Sequence, residues 1–402
     1  MTNARGEINN LSEKLSGYVL KDSSVGLVRL ISVLIILVVG VVIGLTSSPL
    51  INRYFNLQAD QFYRNYASEY DLVPAVSGEN CTIVEKCEKE DCQNMASFLG
   101  PKNLTHGMSD EELFWRASMV PRKADFPYAR IPKVAFMFLT RGQLPMLPLW
   151  ERFFQDHEKL FSIYVHAIPG YELNVSSTSP FYRRQIPSQG VSWGSVSLVD
   201  AERRLLANAL LDFSNERFVL LSESCIPIYN FSTIYKYLIG SNHSFVETYD
   251  DPSRSGRGRY NRRMQPDIKL SDWRKGSQWF EVHRILATII VSDSKYYSLL
   301  RKHCKPACYP DEHYLPTFLH MFYGSLNANR SLTWVDWSMG GPHPATFRET
   351  NITEGFIQSI RNNGTTCSYN SGKTSVCYLF ARKFGPGALE PLLNLTSTLM
   401  KI

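Results

Sequence analysis

An uncharged apolar run near the N-terminus constrains this chain of 402 residues more than any other feature. From Leu30 to Leu45 the sequence reads LISVLIILVVGVVIGL. Adjoining residues extend the run to roughly 20, enough to cross a hydrocarbon core of about 30 Å. A buried core helix and a cleaved signal peptide are the alternatives, but a signal peptide has a shorter apolar region and small residues at its cleavage site. The run therefore predicts an uncleaved transmembrane anchor at residues 25–47, preceded by a cytosolic tail at 1–24.

The basic residues around the run predict its orientation, because cytosolic flanks carry the excess of Lys and Arg. Four basic residues precede the run, whereas Arg53 and Arg64 follow it closely. The N-terminus is therefore expected in the cytosol and the rest of the chain in a lumen. This is the topology of a single-pass type II membrane protein with a lipid bilayer as a partner.

Two patterns after the anchor agree with a luminal location. Sequons for N-glycosylation occur more often there than chance predicts. The predicted glycosylation sites are Asn80, Asn103, Asn174, Asn230, Asn242, Asn329, Asn351, Asn363 and Asn394. The cysteines are Cys81, Cys87, Cys92, Cys225, Cys304, Cys308, Cys367 and Cys377. An even number of cysteines in an oxidising compartment predicts disulfides, although the sequence does not determine which cysteines pair. The chain contains no C-x₂-C pair, so the cysteine spacing does not indicate a zinc site.

Composition excludes several classes of protein. Charged residues make up 20% and aromatic residues 12% of the chain, which does not fit a disordered protein. The sequence has no repeat at a fixed period, which argues against a solenoid or propeller. A net charge of +6 is too small to indicate a nucleic-acid partner. The basic segment Arg254–Lys275 fits a solvated loop or a surface for an anionic substrate or acceptor, and its luminal location argues against single-stranded nucleic acid.

The order of apolar runs predicts the fold of the luminal part. Residues 48–120 are polar and aromatic without clear periodicity and are interpreted as a stem, and 121–402 as one domain. Within that domain Val134–Leu139, Phe161–Ala167 and Phe218–Leu221 are predicted strands, separated by amphipathic helical patterns. Strands that alternate with helices predict an α/β domain with a largely parallel sheet. Ligands bind beyond the carboxyl ends of such strands.

Five side chains stand out as candidates for chemistry. Glu223 follows a buried strand, Glu247 ends a predicted strand and Glu312 opens a predicted helix. A glutamate at a helix start often serves only the helix dipole, whereas a buried one can act as a general base. Arg382 and Lys383 are adjacent cations in an apolar setting, which fits either a surface pair or a diphosphate clamp. No D-x-D triplet for a metal-bound diphosphate occurs in the chain.

Five segments in order along the chain carry a family resemblance. They are VSWGSVSLVDAERRLL (191–206), FVLLSESCIPIYNF (218–231), WRKGSQWFEVHR (273–284), YPDEHYLPT (309–317) and CYLFARKF (377–384). Together they resemble the core-2/I-branching β-1,6-N-acetylglucosaminyltransferase family, which includes the protein xylosyltransferases. The plant-type branch is the most similar. The resemblance covers roughly residues 133–395.

The resemblance implies a GT-A-type, Rossmann-like nucleotide-sugar-binding domain that inverts the transferred sugar without a metal. It implies that Glu312 is the general base. The donor residues that it implies are Ser222, Glu223, Ser224, Arg361, Arg382 and Lys383. Some relatives carry an aspartate where this chain has Ile168, so one donor contact of the family is absent here. Trp193 and Trp279 fit sugar stacking or core packing, and core packing is the favoured interpretation.

The predicted function is transfer of a sugar from a UDP-sugar to a hydroxyl of a glycan or glycoprotein acceptor in the Golgi. No cofactor, no metal and no nucleic acid are expected. Two alternatives remain open from the sequence. A glycoside hydrolase would pair Glu312 with Glu223 or Glu247. A membrane-anchored glycan-binding protein would keep the fold without activity.

Overall fold

The computed structural model describes residues 34–35, 37–38, 104–120, 130–304, 308–362 and 364–400. Within these ranges no helix is long and apolar enough to cross a bilayer. The predicted anchor at 25–47 lies outside the described residues apart from four helical positions. The predicted glycosylation sites Asn80, Asn103 and Asn363 also lie outside them. The domain described below belongs to the second of two compact units, residues 87–402.

Strands and α-helices alternate in this domain from residue 110 to residue 222. The strands are β1 (Lys133–Leu139), β2 (Phe161–His166), β3 (Asn215–Ser222), β4 (Ile226–Pro227), β5 (Glu281–His283), β6 (Thr333–Val335), β7 (Cys367–Tyr369), β8 (Gly372–Thr374) and β9 (Phe380–Arg382). The α-helices are α1 (Asp110–Ser118), α2 (Leu147–Phe154), α3 (Val196–Leu210), α4 (Phe231–Ile239), α5 (Arg284–Ser292), α6 (Lys295–His303), α7 (Tyr314–Phe322), α8 (Glu354–Arg361) and α9 (Leu389–Leu395). Single turns of 3₁₀-helix include Arg257–Arg259, Arg262–Met264 and Pro310–Glu312.

The central sheet has the strand order β2-β1-β3-β5. β2 and β3 run parallel to β1, and the short β5 pairs with β3 in the antiparallel direction. The three predicted strands are therefore confirmed, as is the α/β class with a largely parallel sheet. An interior parallel strand is covered on both faces, which is why β1, between β2 and β3, is almost continuously apolar.

The sheet separates two hydrophobic cores. Val134, Phe136 and Phe138 of β1 contribute to the core that contains α2 and α4. Ala135 and Met137 contribute to the core on the other side, with α1, α3 and α5. Because alternate side chains of a strand point to opposite faces, one seven-residue strand anchors both cores. This burial fixes the carboxyl ends of the strands in space.

Helix α1 places part of the predicted stem inside the packed domain. Ser109 and Glu112 form a capping box at its start. Leu113 and Ala117 are buried in the core with α3 and α5. Among the described residues, the packed region therefore includes 104–120, which the sequence assigned to the stem. Only two of the nine residues of α1 are buried, which is too weak a pattern to mark a packed helix in the sequence.

Two disulfides close short loops in the C-terminal half of the chain. Cys304 pairs with Cys308, and Cys367 pairs with Cys377 across the β7–β8 hairpin. These pairs confirm disulfide formation for four of the cysteines. Cys225 is a buried free thiol, and the remaining three cysteines lie outside the described residues.

Six of the predicted glycosylation sites lie within the described residues. Five are exposed, namely Asn174, Asn242, Asn329, Asn351 and Asn394. The sixth, Asn230, is partly buried and its Oδ1 accepts the backbone N–H of Thr233 at 2.9 Å as the N-cap of α4. Glycosylation of all six stays a prediction.

Candidate active site

A cavity of about 700 Å³ opens beyond the carboxyl ends of the parallel strands. Thr140 after β1, His166 at the end of β2 and Ser222 at the end of β3 all line it. This is the position predicted for a ligand in an open α/β sheet. The volume lies within the usual range for small-molecule sites, roughly 300–1,000 Å³.

Most of the predicted site residues share this cavity. It is lined by Ser222, Glu223, Glu247, Glu312, Arg382 and Lys383. Ser224 is buried and does not line it, and its carbonyl accepts the backbone N–H of Phe384 at 3.0 Å. The predicted donor contact of Ser224 therefore has no support from its position, since its place is in the packing below the cavity.

Arg361 also lies away from the cavity lining. Its guanidinium stacks on the ring of Tyr229 at 4.7 Å and its Nε donates to the carbonyl of Ile228. These contacts hold α8 against the segment that follows β4. Among the described residues Arg361 is not part of the cavity lining, so its position gives the predicted donor contact no support, and that contact stays a prediction.

A small second sheet brings the two predicted cations to the end of β3. β9 pairs with β4 through Ala381 and Ile226, and with β6 on its other side. The guanidinium of Arg382 stacks on Trp279 at 4.3 Å, and its buried Nε has no hydrogen-bond partner. Burial lowers the pKa of Arg382, and the nearby Cys225 and Glu223 oppose that shift.

Lys383 faces the cavity as the next residue. Within the described part of the chain its ammonium has neither an ion pair nor a hydrogen bond, unlike Lys275 in the same cavity. An ammonium next to a guanidinium that lines the same cavity is suited to an anion with several oxygen atoms. This end of the cavity can therefore bind a phosphate-bearing ligand.

Glu312 lies in the 3₁₀ turn Pro310–Glu312 and carries the carboxylate at the other side of the site. Its Oε2 is 2.7 Å from Nη1 of Arg259 and 3.8 Å from Nζ of Lys275. The guanidinium of Arg259 in turn lies 4.1 Å above the ring of Tyr309. Two residues of the basic segment thus orient the candidate base, which neither sequence interpretation of that segment anticipated.

Gly276 allows three backbone segments, those of Glu247, Gly276 and Glu312, to approach one another closely. Its N–H donates to the carbonyl of Glu312 at 2.9 Å. A Cβ at this position would lie 1.8 Å from the carbonyl oxygen of Glu247. Only glycine permits this approach. Gly276 therefore brings the segments that carry Glu247 and Glu312 to one wall.

Behind Glu312 lie two buried carboxyl groups that the sequence did not single out. Asp311 is 8% exposed, lines the cavity and has an Oδ1 without a hydrogen bond. Glu202 on α3 is 2% exposed and accepts Nε2 of Gln278 at 2.8 Å. Burial, then the charge of Glu312, raises the pKa of Asp311 to about 7. Burial, then the charge of Asp311, raises the pKa of Glu202. In the sequence, the only indication of a second carboxyl group behind Glu312 was the adjacent Asp-Glu pair of the PDEH segment.

Replacing Asp311 by asparagine is expected to change the pH dependence of stability. The folded chain keeps the Asp311 proton up to about pH 7, whereas the ordinary value is 3.8. Raising the pH between these values therefore favours unfolding of the wild type. The free energy of unfolding of Asp311→Asn, relative to wild type, should rise by about 1.4 kcal/mol per pH unit over this interval. Urea unfolding from pH 4.5 to 8 measures it, and parallel pH profiles would contradict the expectation.

The two tryptophans of the quoted motifs differ in their surroundings. Trp279 is 7% exposed, so the prediction of core packing is confirmed, although its edge also reaches the cavity. Trp193 is 54% exposed and lines the cavity, so the core prediction is wrong for it. Its ring contacts Tyr309 and His343 at centroid distances of 4.9 and 5.5 Å. Trp193 precedes Ser195, the N-cap of α3, and therefore lies outside the helix that packs into the core.

No cluster of three or more His, Cys, Asp or Glu side chains suited to a metal ion occurs in the residues that the structure describes. The charged groups of the cavity are instead divided between acidic and basic side chains. The acidic ones are Glu223, Glu247, Asp311 and Glu312, and the basic ones are Arg141, Lys275, Arg330, Arg382 and Lys383.

Comparison with known proteins identifies relatives of this chain. The family described as Core-2/I-Branching enzyme matches residues 134–361. Glycosyltransferase BC10 from Oryza sativa subsp. japonica is 38% identical over 310 residues, which cover 66% of this chain and 76% of the rice protein. The family match includes the central sheet and Glu312, and it ends before Arg382 and Lys383.

Proposed function

Because the chain belongs to the Core-2/I-branching enzyme family and is a glycosyltransferase, we propose that it transfers a sugar from a UDP-sugar to a hydroxyl group of a glycan or glycoprotein acceptor, with inversion. The observation that carries this proposal is that Glu312 and the cations Arg382 and Lys383 line one cavity. Family membership disfavours both the glycoside hydrolase and the inactive glycan-binding protein.

The cationic end of the cavity supports a nucleoside diphosphate donor. The ammonium of Lys383 supplies a point charge, and Arg382 supplies a planar cationic group. In the proposed reaction the bond between the anomeric carbon and the diphosphate oxygen breaks, and negative charge develops on departing UDP. Cations held in place before the reaction stabilise this charge without reorganisation.

The acidic side supports activation of the acceptor. Glu312 takes the proton from the acceptor hydroxyl, whose oxygen forms the new bond to the anomeric carbon. Attack from the face opposite UDP in a single displacement inverts that carbon. Arg259, at 2.7 Å, holds the carboxylate in one orientation. A positioned base of this kind contributes roughly 10²–10⁴-fold to the rate.

The experiment that tests the proposal uses the purified luminal chain and a panel of UDP-sugars. UDP release with and without glycan acceptors identifies the donor, and NMR of the product gives the anomeric configuration. We expect one UDP-sugar to support acceptor-dependent UDP release with inversion. Retention of configuration, or a lack of activity with every UDP-sugar in the panel, would refute the proposed mechanism.

UDP binding is expected to survive EDTA. In the proposed site the charge of the diphosphate is met by Arg382 and Lys383, and the chain lacks a D-x-D triplet. Calorimetric titration with UDP before and after chelation measures this. A loss of affinity of more than about tenfold, which corresponds to 1.4 kcal/mol, would show that a metal contributes. Restoration of affinity by added Mg²⁺ or Mn²⁺ would identify that metal.

We further propose that the chain resides in the Golgi membrane as a single-pass type II protein anchored by residues 25–47. The apolar run, the basic flank and the luminal sequons support this proposal. Protease protection of a C-terminal tag in sealed microsomes tests the topology. A tag that is digested without detergent would contradict it.

A further inference from the structure

Helix α1 is connected to the cavity by a partly buried ion pair. Asp110, its first residue, accepts two hydrogen bonds from Arg204 on α3, at 2.7 Å from Nε and 2.6 Å from Nη2. Arg204 is 3% exposed, and its Nη1 lies 2.9 Å from Nε2 of His166. His166 lines the cavity at the end of β2. Three side chains thus link a helix outside the family match to the wall of the site.

The hydrogen bonds define the state of His166. Arginine has only donors, so Nε2 of His166 accepts from Arg204 and carries no proton. Burial, then the charge of Arg204, lowers the pKa of His166 to about 4. The ring is therefore neutral, and the carbonyl of His166 accepts the backbone N–H of Thr140 at 3.0 Å. The contact fixes the ends of β1 and β2 together.

Additional contacts tie the same network to α1. Gln189 bridges it, donating from Nε2 to Asp110 at 3.3 Å and from its backbone N–H toward His166 at 3.5 Å. His106, which precedes α1, contacts Oδ1 of Asn208 at 2.9 Å. Asn208 donates to the carbonyl of Arg204 at 2.9 Å. The ion pair is therefore part of a built structure and not an isolated surface contact.

The sheet order shows which part of a donor would meet this wall. The cations lie at the end of β3, and β1 separates β3 from β2. The ends of β3 and β2 therefore lie two strand spacings, about 10 Å, apart. The residues His166, Ala167 and Ile168, here called the β2 wall, line the cavity beyond β2. A diphosphate bound at the cations would extend its nucleoside over β1 toward this wall.

We propose that Asp110 and Arg204 are positioning residues for the nucleoside of the donor. They act through His166, holding the β2 wall where uridine packs, and this inference rests on the proposed function. Without Asp110 the buried guanidinium of Arg204 would lose its hydrogen-bonded ion pair, which is costly. Arg204 would then turn toward water and release His166. A fragment that begins at residue 121 lacks Asp110 altogether.

The first test is Asp110→Asn in the full luminal chain, with Glu111→Gln as the matched control. Glu111 is the exposed neighbour on the same helix and makes no contact with the network. We expect Asp110→Asn to weaken UDP binding and to raise the KM for the UDP-sugar by about tenfold, with kcat within a few-fold of wild type. The control should match wild type. A purely structural role would lower the active fraction, and therefore apparent kcat, without changing KM or the Kd for UDP.

A second variant keeps the inference testable if Asp110→Asn does not fold. The double variant Asp110→Ala with Arg204→Met removes both charges, so no lone buried charge remains. It should fold and still bind UDP about tenfold more weakly than wild type, since His166 has lost its donor. Wild-type UDP affinity in this double variant would overturn the inference alone. Absence of UDP binding by the wild type would overturn the inference and the proposed donor together.

Discussion

Replacing Glu312 by glutamine is expected to lower turnover by roughly 10²–10⁴-fold, the usual contribution of a positioned general base. Glutamine keeps the shape of the side chain, and its amide oxygen can still accept from Arg259. It cannot take the proton of the acceptor hydroxyl at neutral pH. Affinity for UDP should barely change, because the proposed partner of the carboxylate is the acceptor and not the diphosphate. Steady-state kinetics with the identified UDP-sugar and calorimetry with UDP measure the two quantities.

Two controls separate loss of the base from loss of the fold. Glu354→Gln changes an exposed glutamate at the start of α8, outside the cavity, and should leave turnover unchanged. Circular dichroism must show that Glu312→Gln is folded, since the substitution also weakens the ion pair with Arg259. Turnover close to wild type in a folded Glu312→Gln enzyme would refute the role of this residue as the base.

Replacing Lys383 by alanine is expected to act mainly on donor binding. The substitution removes an unpaired ammonium from the cavity, where the diphosphate of UDP is proposed to bind. Charge-assisted hydrogen bonds contribute about 1.5–3 kcal/mol, so UDP binding should weaken by that amount. Turnover should also fall when the donor is saturating, to the extent that the ammonium stabilises departing UDP. Calorimetric titration with UDP measures the first effect directly.

The matched control for this variant is Lys236→Ala, an exposed lysine on α4 that does not line the cavity. Loss of UDP affinity in both variants would indicate a general effect of net charge. The result for Lys383→Ala would then not locate the diphosphate site. Higher salt should weaken the wild type more than Lys383→Ala, because exposed charge interactions are screened. An unchanged Kd in Lys383→Ala would place the diphosphate elsewhere in the cavity.

The sequence by itself determined the three parallel strands of the central sheet and several residues of the cavity lining. A strand covered on both faces must be apolar at nearly every position, so Val134–Leu139 and the runs at β2 and β3 were recognisable without their partners. Parallel strands place their carboxyl ends at one edge, so Ser222 and Glu223 were expected beside the ligand. The motif resemblance indicated Glu312, Arg382 and Lys383, and the structure brings all three to that edge.

The tertiary structure alone decided which charged groups face the cavity. Arg361 and Arg382 are both arginines in the C-terminal part, yet one stacks on Tyr229 in the packing and the other lines the site. Asp311 is adjacent to Glu312, but the packing of α3 against its turn buries it. Local sequence records residue type and spacing, whereas burial depends on the element that covers a side chain.

Helix α1 shows the same limit at longer range. Its capping box joins Ser109 to Glu112 and is visible in the sequence, because both partners lie within one turn. Its connection to the cavity depends on Asp110 and Arg204, which are 94 residues apart. No periodicity links two positions so distant, and the surrounding polar residues resemble a stem. Only the folded chain, which packs α1 against α3, connects Asp110 to the wall of the site through Arg204 and His166.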